Sequence, residues 1–112
     1  MIHTDYGYEV RSGNRLLRVC LYGEIDHHSA AALRQDLDEL LLRERPLRLV
    51  LDLSRIEFMD SSGLGLILGR YTKVNLLGGI LKVANPNDRI EEILKMAGTD
   101  KLIPIEKGVK YI

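Results

Sequence analysis

Cysteine is nearly absent. One thiol in 112 residues, Cys20, leaves no partner for an intrachain disulfide and suggests no zinc cluster. Cys20 lies in an apolar run, where a thiol behaves as a small buried hydrophobe. An excess of charge is also missing. Sixteen Lys and Arg balance 16 Asp and Glu, so the net charge is zero. Direct nucleic-acid and membrane partners, which select for excess Lys and Arg, are therefore not indicated. No apolar run reaches the roughly 18 residues of a membrane span. Met1-Ile2-His3-Thr4-Asp5 lacks the basic and apolar regions of a signal peptide, so a cytoplasmic chain is expected. Internal repeats, low-complexity tracts and linkers are absent, and the expectation is one domain over residues 1–112.

The signatures of several enzyme classes are missing too. Gly63-Leu64-Gly65 with Gly69 puts the last glycine one place too far for a dinucleotide fingerprint, and Lys82 and Val83 stand where its acid belongs. There is no phosphate-binding loop ending in Gly-Lys-Ser/Thr. Met59 before Asp60-Ser61 breaks the pattern of a nucleophile elbow. Adjacent His27 and His28 do not readily share one ion, and His3 is the only other histidine, so no metal site is expected. Ser61, His27 and Asp26 supply the residue types of a catalytic triad. Nothing beyond ordinary turn amides supports an oxyanion hole, which argues against catalysis.

What is present is an ordinary globular balance, 46% apolar and 29% charged, in alternating strand and helix patterns. Residues 6–11 and 15–22 read as strands joined by a turn at Ser12-Gly13-Asn14, hence an antiparallel hairpin. Leu17, Val19 and Leu21 share one face of the second strand; Leu16, Arg18, Cys20 and Tyr22 share the other. A loop over residues 23–28 leads to a helix over 29–43, capped by Asp26 or Ser29. Its buried stripe is Ala30, Leu33, Leu37, Leu40 and Leu41, with Arg34, Asp38 and Glu39 outward, and Pro46 lies beyond its end. Residues 47–53 are apolar enough for a strand covered on both faces. A helix follows with Leu64, Ile67, Leu68, Tyr71 and Val74 at helical spacing, ended by Gly78-Gly79. A strand over 80–84 precedes a third helix, with Asn85 as cap, Pro86 in the first turn, and a stripe of Ile90, Ile93, Leu94 and Ala97. Residues 102–105 form a short last strand. A hairpin followed by this alternation predicts an α/β fold: a mixed sheet with helices packed on it.

Phe58-Met59-Asp60-Ser61-Ser62-Gly63-Leu64-Gly65 joins the central strand to the second helix. Asp and Ser are N-capping residues, because their oxygens accept from the free N–H groups of the first turn. Capping by Ser61 or Ser62 would explain them. Phosphorylation is the other reading, since a helix N-terminus tolerates an added anion. Gly63 and Gly65 cost helix propensity, up to about 1 kcal/mol each. A close approach of backbone or of a partner surface would account for them.

This segment, with Ile67-Leu68-Gly69-Arg70-Tyr71 after it, resembles the phosphorylation segment of bacterial anti-sigma factor antagonists of the STAS fold. Gly23-Glu24-Ile25-Asp26-His27-His28-Ser29-Ala30 resembles a second segment of that group, and its wording leans toward the sporulation (sigma-F) branch. The resemblance covers nearly the whole chain and implies a single STAS domain that is not an enzyme. By the family's position after the Asp, it implies phosphorylation on Ser61. It implies partner contacts from Asp26, His27, Asp60, Ser62, Gly63, Leu64, Gly65, Ile67 and Arg70. The implied partners are an anti-sigma factor serine kinase and a PP2C-like serine phosphatase. No cofactor is expected on this chain, ATP or ADP and magnesium being carried by the kinase.

Overall fold

The computed structural model describes residues 6–110. His3, the segment Met1–Asp5 and the last two residues lie outside the described residues. Five strands stand in one mixed sheet in the order β1-β2-β3-β4-β5. They are β1 (Tyr6–Gly13), β2 (Leu16–Ile25), β3 (Arg48–Met59), β4 (Ile80–Ala84) and β5 (Ile105–Glu106). Three helices, α1 (His27–Glu44), α2 (Ser61–Leu76) and α3 (Asp88–Met96), connect the parallel strands, and a short 3-10 turn spans Thr99–Lys101.

β1 and β2 pair antiparallel, and every later neighbour pairs parallel. Gly13 faces Leu16, so the hairpin turn is Asn14-Arg15, one residue later than its turn-forming composition suggests. Both turn residues have positive φ, 54° and 61°. That is the backbone of a two-residue turn whose twist matches the strands.

The strands add in one direction. Right-handed crossovers then put all the connecting helices on one face of the sheet. The core agrees: Leu17, Val19 and Leu21 of β2 and Leu49, Leu51 and Leu53 of β3 join Leu33, Leu37 and Leu41 of α1, Ile67 and Val74 of α2, and Ile90 and Leu94 of α3 in one buried cluster. β3 is buried on both faces from Leu49 to Leu53, as its apolar run suggests. Its second face carries no helix among the described residues. There the C-terminal segment crosses, pinned where Asn85 Nδ2 donates to the Val109 carbonyl and Val109 N–H donates to Asn85 Oδ1 at 3.0 Å.

Several boundaries differ from the sequence expectation. β2 and β3 run to Ile25 and Met59, absorbing residues read as loop. Two register shifts in their pairing, between Cys20 and Tyr22 and between Gly23 and Glu24, break the simple alternation there. α1 starts at His27 with Asp26 as its cap; Ser29 closes a capping box by accepting from Asp26 N–H at 3.0 Å. α3 is capped by Asn87, which accepts from Ile90 N–H at 2.8 Å, and not by Asn85, which is left-handed at φ 57°. Ala97 of its expected stripe is exposed. The last strand begins at Ile105, because residues 99–101 complete a tight 3-10 turn first.

The largest correction concerns α2. Its buried face is Gly63, Leu66, Ile67, Arg70 and Val74, while Leu64, Leu68 and Tyr71 are only partly covered. A cation sits in the buried face because Asp38 of α1, expected to point outward, reaches it. Arg70 Nε lies 3.0 Å from Asp38 Oδ1, with the Arg70 side chain 3% exposed. The contact is Coulombic and not an aligned hydrogen bond. Lys73 Nζ stands 3.5 Å from the other Asp38 oxygen. Burial pulls the Arg70 pKa down, and Asp38 opposes that pull.

Two predictions follow from these elements. Asp38→Ala strands the Arg70 guanidinium in the core and should cost about 3 kcal/mol in urea unfolding, the low end for a broken buried pair because Asp38 keeps some contact with water. Replacing both residues by Leu should cost less than Asp38→Ala alone. The cap on α1 supplies the second. The Asp26 carboxyl is held below its usual pKa of 3.8, chiefly by the Ser29 backbone N–H and further by its hydroxyl, with desolvation opposing. A depressed folded pKa stabilises fully above the unfolded value and is lost as pH falls through the folded one. Asp26→Asn should therefore remove part of the stability difference between pH 7 and pH 3 in denaturant titrations while keeping the helix capped.

Candidate functional site

The candidate site grows from the parallel pairing of β2 and β3. Their last residues, Ile25 and Met59, face each other. Each is followed at once by an aspartate and a helix. The two caps are tied by Asp60 N–H donating to the Ile25 carbonyl at 3.2 Å. Two helix N-termini thus emerge side by side at the carboxyl end of the parallel strands, the usual place for a site in an α/β sheet. Neither first turn contains an acidic residue.

Asp60 is extended, with φ −104° and ψ −167°, and caps α2 by accepting from Ser62 N–H at 2.8 Å. The cap is thus the aspartate and not a serine; Ser62 contributes a backbone donor. Ser61 occupies the first helical position with an exposed side chain. Its hydroxyl makes no hydrogen bond among the described residues, and the free N–H groups of the turn lie beside it. Ser62, one residue on, is half-buried toward α1.

Between the helices lies an open cleft of about 280 Å³ lined by His27, Ala30, Ala31 and Arg34 from α1 and Ser62, Gly65 and Leu66 from α2. Arg34, read from sequence as outward-facing, is its one fixed positive charge. The spacing of His27, Ala31 and Arg34 marks one stripe of a helix, but sequence does not say which stripe of α2 it meets.

The two glycines differ. A Cβ on Gly63 would collide with the Met59 side chain, so its smallness serves the interior. A Cβ on Gly65 would meet nothing within 4 Å, so no internal contact demands it.

The residues expected to meet a partner therefore divide. His27, Ser61 and Gly65 are exposed; Asp26, Asp60, Ser62 and Leu64 are half-buried. Gly63, Ile67 and Arg70 are buried, with Ile67 only 1% exposed. Those three cannot offer direct surface. They hold α2 against the core, and their expected contact role is corrected to a supporting one. Phe58 is 44% exposed at the end of β3, an apolar side chain beside the site.

A serine-nucleophile triad does not form. The Asp26 carboxylate accepts from Ser29 N–H and lies within reach of the Ser29 hydroxyl, and it does not orient His27. No three His, Cys, Asp or Glu side chains among the described residues converge on a common point. No helix among them is long and apolar enough to cross a membrane.

Comparison with known proteins agrees with this architecture. The STAS domain family matches residues 8–111. An anti-sigma F factor antagonist of Paenibacillus polymyxa is 41% identical over 97 residues, covering 87% of this chain and 83% of that protein. The anti-sigma-B factor antagonist of Bacillus subtilis is 33% identical over 97 residues, covering 87% of each. Among solved structures, the anti-sigma factor antagonist SpoIIAA in its unphosphorylated form superposes with a TM-score of 0.80 at 23% identity, over 93% of this chain and 90% of that one. SpoIIAA has also been solved in its phosphorylated form, which matches with a TM-score of 0.73 at 23% identity over 93% of each chain. Shared family, topology and sequence together establish that this chain belongs to the STAS-domain anti-sigma factor antagonists.

Proposed function

We propose that this protein is the phosphorylatable component of a partner-switching circuit that controls a sigma factor in sporulation. In its unphosphorylated form it docks on an anti-sigma factor that is also an ATP-dependent serine kinase, and the sigma factor is released. The kinase, carrying ATP and magnesium, transfers a phosphoryl group to Ser61. The complex then separates, and a PP2C-like serine phosphatase resets the switch. All of this takes place in the cytoplasm. Ser61 is a substrate residue and not a catalytic one.

The observation that carries the proposal is the setting of Ser61: an exposed hydroxyl at the first position of a helix whose first turn has no acidic residue and whose cap is supplied by Asp60. A phosphate there adds roughly −1.5 to −2 charges at neutral pH. The helix end favours an anion by roughly 0.3–1 kcal/mol. Asp60, a like charge, offsets part of that gain. The fold is thereby left intact while the surface changes sign. At the docked interface the new dianion would face the nucleotide phosphates of the kinase, and a change of about 1.4 kcal/mol already lowers affinity tenfold. The 41% identity to an anti-sigma F factor antagonist supports the sporulation branch over the general-stress branch. That a similar protein, SpoIIAA, exists in phosphorylated and unphosphorylated forms supports the chemistry.

Within this proposal His27, Gly65 and the exposed edge of Leu64 form the docking surface, with Asp26, Asp60 and Ser62 fixing its shape. Intact-mass measurement after incubation with the anti-sigma kinase and ATP tests it. Wild type and Ser62→Ala should gain one phosphoryl group and Ser61→Ala none. Gain lost only in Ser62→Ala would move the acceptor by one residue. No gain in any of them, with complex formation demonstrated, would leave an unmodified binding scaffold. The phosphorylated protein should unfold within about 1 kcal/mol of the unmodified one in denaturant, since its charge sits on a helix end that accepts it.

A further inference from the structure

The face of the sheet turned away from the helices carries a second arrangement of charge. Adjacent rungs across the strands sort it. One rung runs Arg11, Arg18, Val50, Lys82; the next runs Glu9, Cys20, Asp52, Ala84, Glu106. The acids of these two rungs are each engaged. Glu9 pairs with Arg55 at 3.2 Å and Glu106 with Lys82 at 3.3 Å. Asp52, 5% exposed, lies 3.9 Å from Arg18 and accepts from Ser54 N–H at 3.0 Å. Arg11, Arg48 and Lys110 form no ion pair with the described residues, and of these Arg11 and Lys110 stand together.

Both line the same cleft. Its volume is about 690 Å³, well within the range of small-molecule sites. The sheet forms its floor through Arg18, Asp52 and Ser54, and the C-terminal segment held by Asn85 forms one wall. Three cations and one carboxylate thus share a cavity in a chain of zero net charge. Arg11 and Arg18 stand directly opposite each other on paired strands. An anion seated between them would be attracted by both, with Asp52 already beside Arg18. Among the described residues no aromatic ring lines the cleft.

We propose that this cleft binds a small, multiply charged anion, phosphate- or carboxylate-bearing, held by Arg11, Arg18 and Lys110. Arginine suits this role because its planar guanidinium donates two parallel hydrogen bonds to such oxygens. The Ser54 hydroxyl gives the ligand a neutral partner, and Asp52 disfavours a carboxylate or phosphate placed directly over it. The site lies on the opposite face of the sheet from α1 and α2, so its occupation does not compete for Ser61.

Titration of the full chain with inorganic phosphate, pyrophosphate and citrate at constant ionic strength, followed by two-dimensional amide NMR, tests the proposal. Saturable shifts are expected at Arg11, Arg18, Ser54 and Val109 for at least one of the multiply charged anions. Arg11→Gln and Lys110→Gln alter exposed side chains and should each weaken that binding at least threefold, with otherwise unchanged spectra. Tighter binding of pyrophosphate would assign a phosphate-bearing ligand, and tighter binding of citrate a polycarboxylate. Shifts that grow without saturation would overturn the site. So would affinity undiminished in both variants, or shifts confined to residues 61–65.

Discussion

The parallel pairing of β2 with β3, continued to their last residues, is the constraint on which the site depends. Had either strand ended where its apolar run ends, the two helix starts would lie apart. Because Ile25 faces Met59 and Asp60 N–H reaches the Ile25 carbonyl, the two aspartate caps are held one strand spacing apart. Everything at that end follows: two uncrowded helix N-termini, a cleft between them, and one serine hydroxyl presented outward at the first position of α2.

The second constraint acts along the helices. α1 and α2 meet through apolar stripes and also through Arg70 and Asp38. A buried guanidinium is tolerated only with a carboxylate at hand, so this pair ties one helix to the other in a defined register. That register sets which α1 residues face α2 across the cleft, and hence puts Arg34 near Ser62. Stability and site geometry are two consequences of the same contact. Gly63 plays a similar part, since only a residue without a side chain lets α2 settle over Met59.

The two faces of the sheet divide the work. One is covered by three helices and contains nearly all of the apolar core. The other is covered by long polar side chains and a returning C-terminal segment, and its charges are arranged in rungs. Family membership follows from the first face and from the helix starts at its end. On the second face Arg11 and Lys110 stand in one cleft without an ion pair to the described residues.

Legible along the chain are the element types, the hairpin followed by alternating strands and helices, the buried stripes of α1 and β2, and the placement of an Asp-Ser-Ser-Gly segment at a strand-to-helix junction. These are local: periodicity, capping chemistry and turn residues act over a few neighbours, so they can be read along the chain. The packed fold extends β2 and β3 through residues that look like loop, because long-range pairing satisfies their backbone. It decided that Asp60 and not a serine is the cap, since the geometry of one turn selects among equally suited side chains. It turned Ile67 and Arg70 inward, although each looked able to face a partner, because burial of Arg70 rests on Asp38, a residue 32 positions away in the chain. It also brought Arg11, Arg18 and Lys110 to one cleft, a meeting of three distant segments that no local pattern encodes.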